Sequence, residues 1–202
     1  KSSLLRDVEE REELSLSPLR HHTDRLVELR NVSIDYGSGE ICSDISFFIK
    51  RGDRIALRGS NGTGKSSIIK LVLGEKIPHT GEVFTASGLK VSYVPQDASS
   101  LSGSLDDYAD RYGANRTMLR TILRKLDFPR EAFLRDISTY SSGQKKKVAL
   151  ARSLCESAHL YVWDEPLNFI DLMSRIMIEE LITEYRPTLL FVEHDRAFRE
   201  NV

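Results

Sequence analysis

Eight consecutive residues have the types and spacing of a loop that binds phosphate. The pattern G-x-x-x-x-G-K-[ST] is matched by Gly59-Ser60-Asn61-Gly62-Thr63-Gly64-Lys65-Ser66. Glycines let the backbone curl around an anion so that successive N–H groups point inward. The lysine adds a full positive charge, and the serine hydroxyl can ligate Mg²⁺. The pattern therefore predicts a site for the phosphates of a nucleotide.

The residues on either side of this loop supply the context that such a loop needs. Residues 54–57 are typical of a short buried strand, and residues 67–73 have the apolar spacing of a helix. Gly74 follows at the position where a helix commonly ends. The helix N-terminus adds partial positive charge at the phosphates, which supports the prediction.

Polar residues that suit phosphate chemistry follow several other predicted strands. Asp164 ends the apolar run 159–163 and can hold Mg²⁺ directly or through water, while the adjacent Glu165 can orient or deprotonate an attacking water. Gln96 follows the strand predicted at 89–94, where its amide could sense the metal and the γ-phosphate. His194 follows the apolar run 188–192, at the edge of a parallel sheet where ligands collect.

One more stretch has the features of an anion site. Ser141-Ser142-Gly143-Gln144 opens a predicted helix that continues through Leu154. The first turn of a helix has backbone N–H groups without intrahelical partners, and these can bind an anion.

The remaining pattern predicts the elements that position these residues. Residues 26–36 and 45–49 alternate as an antiparallel hairpin does, and residues 81–84 form a further short strand. Residues 100–138 change to helical spacing. Elsewhere strands alternate with helices, which predicts an α/β fold with a mostly parallel core sheet, an antiparallel β layer and a small helical subdomain.

Composition excludes several classes of protein. A chain of 202 residues is long enough for one domain with a substantial core. The formal net charge of −1 excludes a uniformly basic nucleic-acid binder. No apolar run approaches the roughly 18 residues of a membrane helix, and no signal peptide opens the chain, so direct membrane insertion is not expected. Cys42 and Cys155 are isolated, which favours reduced thiols in a cytoplasmic protein.

These motifs, in this order, resemble the nucleotide-binding domain of ATP-binding-cassette (ABC) proteins, a P-loop NTPase fold, from about residue 26 onward. The resemblance implies ATP and Mg²⁺ as cofactors and ATP hydrolysis as the reaction. It identifies Gln96 as the Q-loop residue, residues 141–144 as the signature, Asp164 as the Walker B aspartate and Glu165 as the catalytic glutamate. His194 is the switch histidine. The implied catalytic residues are Glu165, His194 and Gln96, and the implied metal ligands are Ser66, Gln96 and Asp164.

The resemblance also implies a set of nucleotide contacts. Tyr36 is the aromatic that would stack on adenine, with a place in the core as the alternative. The implied contacts to the nucleotide are Tyr36, Gly59, Asn61, Gly62, Thr63, Gly64, Lys65, Ser66, Ser67, Ser142, Gly143 and Gln144. In this family the signature of one domain faces the P-loop of another. The expected partner is therefore a first ABC domain of the same full-length protein, or a second copy of this chain.

The signature departs from the usual Leu-Ser-Gly-Gly-Gln of the family. Tyr140 replaces the leucine and Ser142 the first glycine. A serine can still present its N–H to phosphate if its backbone stays in the α region.

A second local pattern indicates a subfamily. Residues 167–171 (Leu-Asn-Phe-Ile-Asp) are similar to the Thr-Asn-His-Leu-Asp of ABC-F proteins and keep Asn168 and Asp171, the latter in the D-loop. Members of that subfamily carry two ABC domains joined by a charged helical linker, and many act on the ribosome. Residues 163–171 and 192–195 resemble its antibiotic-resistance branch, which protects ribosomes. The resemblance implies ribosome or rRNA as a partner.

The domain boundaries follow from the same resemblance. Residues 1–24 are charged and Ser-rich, which predicts the end of an interdomain linker rather than part of a core. Residues 25–202 would then be the second ABC domain, and the start at Lys1 and the stop at Val202 indicate a piece cut from a longer protein, truncated at its C-terminus.

Two other functions share the core motifs. One is the ATPase subunit of a membrane ABC transporter, which Asn168, Asp171 and the charged N-terminal stretch disfavour. The other is a non-catalytic nucleotide-binding module that serves dimerisation, against which Glu165 and His194 argue.

Two clusters of basic residues have both a functional and a plain interpretation. Three arginines at helical spacing share one helix face: Arg116, Arg120 and Arg124. This face could contact RNA, or it could simply be exposed to solvent. His21 and His22 are adjacent, but a pair of histidines without a third ligand is a weak metal site.

Overall fold

The computed structural model describes residues 15–37 and 39–202. Its strands are β1 (Arg25–Asp35), β2 (Glu40–Lys50), β3 (Arg54–Ala56), β4 (His79–Thr85), β5 (Val91–Val94), β6 (Leu160–Asp164) and β7 (Leu189–Val192). Its α-helices are α1 (Lys65–Val72), α2 (Leu105–Arg111), α3 (Arg116–Lys125), α4 (Ser142–Cys155), α5 (Leu172–Tyr185) and α6 (Arg196–Asn201). Short 3₁₀ helices lie at Arg130–Leu134 and Ile137–Thr139.

A four-stranded parallel sheet forms the centre of the fold, in the order β3-β7-β6-β5. Every residue of β6 and β7 is buried, because these strands are covered on both faces and their sequences are almost continuously apolar. Trp163 aligns with Val94 on one side and with Phe191 on the other. The carboxyl ends of the strands therefore lie along one edge of the sheet.

An antiparallel layer of three strands, in the order β2-β1-β4, confirms the predicted hairpin and adds the strand predicted at 81–84. Gly81 has a φ of +78°, and a Cβ there would lie 2.4 Å from the carbonyl oxygen of Asn31, so β1 and β4 approach too closely for a side chain. The apolar face of α1, with Ile69 and Val72, shares one buried core with this layer and with the parallel sheet. That core fixes α1, and the loop before it, against both sheets.

The predicted helical subdomain contains α2, α3 and the two 3₁₀ helices, and its core is continuous with one side of the parallel sheet. Arg116 pairs with Asp110, and Arg120 Nη2 lies 2.7 Å from Asp106 Oδ1. The Arg124 guanidinium lies 5.9 Å from the centre of the Phe133 ring. Two of the three arginines that the sequence suggested for RNA thus have carboxylate partners on α2.

The segment before β1 corrects one expectation. Residues 1–14 lie outside the described residues, so the linker assignment stays a prediction there. Residues 15–24, however, pack on the domain: Leu16 is buried in the larger core, and the backbone N–H of Leu19 donates to Ala158 O at 2.8 Å. The sequence suggested a segment outside any core, because its charged residues obscure the single apolar anchor.

The histidine pair also has a neighbour that the sequence could not reveal. The ring of His159 lies 4.9 Å from that of His21. Both ring nitrogens of His21 are already hydrogen-bonded, to Thr23 Oγ1 and to Ser87 O. Across residues 15–37 and 39–202, no group of three or more His, Cys, Asp or Glu side chains is placed to hold a metal.

None of the helices in the described part of the chain is both long enough and apolar enough to cross a membrane.

Replacing Leu16 with alanine tests whether residues 15–24 belong to the fold. We expect the free energy of unfolding to fall by about 2–5 kcal/mol, as for other buried leucines, in a urea titration followed by circular dichroism. Leu19→Ala is the matched control, since Leu19 is 36% exposed and should cost much less. Equal losses for the two variants would contradict the packing described here.

Candidate functional site

The loop between β3 and α1 has the backbone that a phosphate cradle requires. Gly62 and Gly64 have φ values of +82° and +85°, which side-chain-bearing residues rarely adopt. Gly59 has a φ of +155°, and a Cβ there would lie 2.5 Å from Thr63 Oγ1. Thr63 Oγ1 in turn donates to Ser60 O at 2.9 Å, which closes the loop on itself.

Lys65 is the first residue of α1, and its ammonium lies over the loop. Lys65 Nζ donates to Gly59 O and to Ser60 O, each at 2.8 Å. Asn61 on this loop and Ser66, the second residue of α1, are both exposed. The N-terminal turn of α1, the ammonium and the exposed hydroxyl form a donor set that fits a polyphosphate and Mg²⁺.

Tyr36 lies beside this loop rather than in the core. Its side chain is 43% exposed, which excludes the core alternative. Its hydroxyl lies 3.2 Å from Oγ of Ser67, the buried third residue of α1. An exposed aromatic face next to a phosphate cradle is suited to stacking on a nucleobase.

The carboxyl end of β6 provides the two acidic residues. Asp164 is buried, and burial raises the pKa of its carboxyl group, with the charge of Glu165 adding to the effect and the charges of Lys146 and Lys65 opposing it. A buried carboxylate at this position has a strong electrostatic preference for a cation. Gln96 lies two residues beyond β5, which pairs with β6, and is exposed at the same sheet edge.

Glu165 is held between two neighbours. Its Oε1 lies 3.4 Å from His194 Nε2, and its Oε2 accepts from Asn168 Nδ2 at 2.7 Å. Glu165 has a φ of +51°, in the left-handed region. His194 lies two residues beyond the end of β7, and its ring is only partly exposed to solvent, since Nε2 faces the Glu165 carboxylate. The arrangement can orient and deprotonate a water beside the phosphate cradle.

The predicted signature begins α4 with a capping box. Ser141 Oγ accepts from the N–H of Gln144, and Gln144 Oε1 accepts from the N–H of Ser141. Ser142 is the first residue of α4, so its backbone is helical as an anion-binding serine requires. Helix geometry leaves the N–H groups of Ser142 and Gly143 without intrahelical acceptors.

The structure explains the tyrosine in place of the usual leucine. Tyr140 is buried, its ring lies 5.3 Å from that of Phe128, and its hydroxyl donates to Ala132 O at 2.6 Å. The larger side chain therefore anchors the start of α4 to the helical subdomain.

Three residues that hydrogen-bond to the predicted site residues were not identified as part of the site from the sequence. Glu193 is buried, and its carboxylate accepts from the N–H groups of Leu167, His194 and Asp195. Lys146 is buried on α4, and burial lowers the pKa of its ammonium to about 8. Asn168 was noted for the subfamily but not as a partner of Glu165. The only available signal was that Glu193 precedes His194 at a strand end.

A family model and individual known proteins both match this chain over most of its length. A family model described as ABC transporter matches residues 42–168, which is more than half of the chain. The ATP-binding protein Uup of Haemophilus influenzae is 33% identical over 205 residues, covering 97% of this chain and 32% of that protein. The ribosome protection protein VmlR of Bacillus subtilis is 29% identical over 181 residues, covering 87% of this chain and 32% of that protein.

Among solved structures, one described as the ATP binding subunit of an ABC transporter aligns with a TM-score of 0.67 at 26% sequence identity. The alignment covers 87% of this chain and 82% of that chain. By contrast, this chain spans only about a third of the length of Uup and VmlR.

Proposed function

The chain belongs to the ABC transporter family, and from that premise we propose that it hydrolyses ATP with Mg²⁺ as the second ABC domain of a cytoplasmic ABC-F protein that acts on the ribosome. One observation carries the ATPase proposal. Glu165 directly follows β6 and His194 lies two residues beyond the neighbouring parallel strand β7, with 3.4 Å between Glu165 Oε1 and His194 Nε2. Asp164 ends β6 at the same edge of the sheet. Burial raises the pKa of the Asp164 carboxyl group, and the charge of Lys65 opposes this larger effect, which relates the acidic residues to the phosphate loop.

The residues divide the chemistry among them. The N–H groups of residues 59–66 and the ammonium of Lys65 would bind the phosphates. Ser66, Asp164 and Gln96 would hold Mg²⁺, which neutralises charge on the phosphates when bound. Glu165 would take a proton from the attacking water, with His194 fixing its carboxylate.

The signature would serve a nucleotide held by another domain. Ser142 and Gly143 have N–H groups available at the start of α4. The family arrangement places this helix N-terminus opposite the P-loop of a partner, which is a first ABC domain of the full-length protein or a second copy. A single domain therefore holds the base and the lysine but lacks the further donors that a partner's signature would supply to the γ-phosphate of its nucleotide.

The ribosomal role is supported by the sequence of the D-loop region and by one relative. Residues 167–171 keep the Asn168 and Asp171 of the ABC-F pattern. VmlR is named as a ribosome protection protein. We extend that name to this chain as a proposal, with antibiotic resistance by ribosome protection as its finer form.

The alternative is the ATPase subunit of a membrane ABC transporter. It is favoured by the likeness to an ATP binding subunit of such a transporter, which this chain matches over 82% of that subunit's length. The two functions predict different partners and are separable by experiment.

Replacing Lys65 with alanine should weaken ATP binding about 10–100-fold. A charge-assisted hydrogen bond contributes about 1.5–3 kcal/mol, and each 1.4 kcal/mol is tenfold in affinity. Isothermal titration calorimetry with ATP measures the change. Lys70→Ala removes an exposed lysine from the same helix and should bind as the parent does; unchanged binding by Lys65→Ala would reject the phosphate site.

The isolated chain should hydrolyse ATP slowly, and its rate per molecule should rise with protein concentration as pairs form. Losing one preorganised donor costs roughly 10²–10³ in rate, and pairing restores the donors of α4. Glu165→Gln should trap the pair with ATP bound, because it keeps the shape and removes the base. Phosphate release and light scattering across a dilution series measure both effects; fast hydrolysis at high dilution would exclude a shared site.

Full-length protein carrying this domain should co-sediment with large ribosomal subunits in ATP, and more so with Glu165→Gln. The reason is that a trapped pair cannot leave through hydrolysis. Lys65→Ala in this domain is the control and should reduce the bound fraction. Recovery of an integral membrane partner instead, with no ribosomal sedimentation, would favour the transporter subunit.

A further inference from the structure

The peptide bond between Asp164 and Glu165 is held at both of its polar atoms. The carbonyl oxygen of Asp164 accepts from Lys146 Nζ at 2.8 Å. The N–H of Glu165 donates to Val192 O at 2.9 Å. The plane of this peptide is therefore fixed from the signature helix on one side and from β7 on the other.

Fixing this plane has a consequence for Glu165. Its φ of +51° is unfavourable for a residue with a Cβ, and such a conformation persists only where the surroundings impose it. Releasing the Asp164 carbonyl would let the peptide rotate and the backbone of Glu165 relax. The carboxylate would then move away from His194 and from the phosphate cradle.

Lys146 is built into this position. It is 3% exposed, and its ammonium also donates to Pro95 O at 2.6 Å and to Gln96 O at 3.3 Å. Lys146 thus links the backbone that follows β5 to the end of β6, at the predicted Mg²⁺ ligands Gln96 and Asp164. An ammonium has only three N–H donors, so the three carbonyls use all of them.

The neighbouring lysines show that this is not a general property of the helix. Lys145 Nζ donates to Ser99 O at 2.6 Å, and Lys147 Nζ donates to Leu126 O at 2.5 Å. Each of the three lysines binds a different segment. Lys146 is the one whose partner carbonyl belongs to the peptide that carries Glu165.

We propose that Lys146 is a positioning residue for catalysis: it holds the Asp164–Glu165 peptide plane and thereby keeps Glu165 in the left-handed conformation that directs its carboxylate at the attacking water. Through Lys146 the helix that presents the signature to one nucleotide also sets the base for the other. The inference rests on the proposed ATPase function, since that function assigns Glu165 as the base.

The kinetic test compares Lys146→Met with Lys145→Met, which also removes a lysine-to-carbonyl bond from α4. At saturating protein concentration, Lys146→Met should lower kcat about 10²-fold, as expected for a displaced catalytic group, while KM for ATP changes less than about threefold. Lys145→Met should keep most of kcat. In a Glu165→Gln background, Lys146→Met should cause no further loss. Equal losses in kcat for the two lysine variants, or full additivity with Glu165→Gln, would overturn the proposal.

A second measurement does not depend on hydrolysis. Glu165→Gly relieves the unfavourable φ, because glycine adopts this conformation readily. The change in Tm that it causes should therefore be about 2–4 °C more positive in the parent than in Lys146→Met, where the peptide is already free to rotate. All four variants of this cycle also carry Asn168→Ala and His194→Ala, so the hydrogen bond and the ion pair of the Glu165 side chain are absent throughout and do not contribute to the difference in Tm. If Lys146→Met does not fold, Lys146→Gln takes its place, since its shorter side chain keeps a polar group in the buried site but lacks the ammonium that bonds all three carbonyls.

The two measurements separate the possible failures. A parent chain that binds ATP but never hydrolyses it would reject the proposed function, while the thermal cycle would still decide the role of Lys146. Identical Tm shifts in both backgrounds would overturn the positioning role and leave the ATPase proposal intact.

Discussion

The parallel register of β5, β6 and β7 is the constraint on which the rest of the site depends. Because Val94, Trp163 and Phe191 are aligned across the sheet, the residues that follow each strand emerge at one edge. The residues of β6 and β7 are buried on both faces, so a slip in register would place each side chain in a space packed for another and would draw the polar residues that follow the strands into the core. The hydrophobic core therefore sets the relative positions of the polar residues that it does not contain.

This alignment concentrates negative charge at a partly buried edge, and the structure offsets it with specific donors. Burial raises the pKa of Asp164, and Glu165 is adjacent to it. Glu193, also buried, is stabilised by three backbone N–H groups that come from the loops after β6 and β7. Lys146 supplies a buried positive charge from α4. A bound cation would complete this balance, which is why the site suits a metal–nucleotide complex.

Much of the fold and of the candidate site could be predicted from the sequence, because the relevant signals are local. The glycines of residues 59–64 indicate positive φ values from the residue type alone. The apolar runs 159–163 and 188–192 indicate the strands after which Asp164 and His194 lie. Residues that act through distant backbone atoms could not be predicted in the same way. Lys146 lies among three consecutive lysines that are equivalent in sequence, and only the fold shows which carbonyl each one meets. Leu16 and Leu19 lie three residues apart in a largely polar stretch, and only the fold shows that Leu16 is the one that is buried, among residues far along the chain.

The start of α4 connects these observations, because it is fixed from several directions at once. Tyr140 anchors it to the helical subdomain, the capping box uses two of its polar groups, and Lys146 ties its second turn to the strand ends. Gly143 lies so close to Phe169 that an added Cβ would be 3.0 Å from the phenylalanine Cβ. A helix end held this tightly cannot adjust its exposed N–H groups independently of β6 and of the loop after it. Because Lys146 bonds the carbonyl oxygen of Asp164, a displacement of α4 would act directly on the backbone that carries the acidic residues at the end of β6.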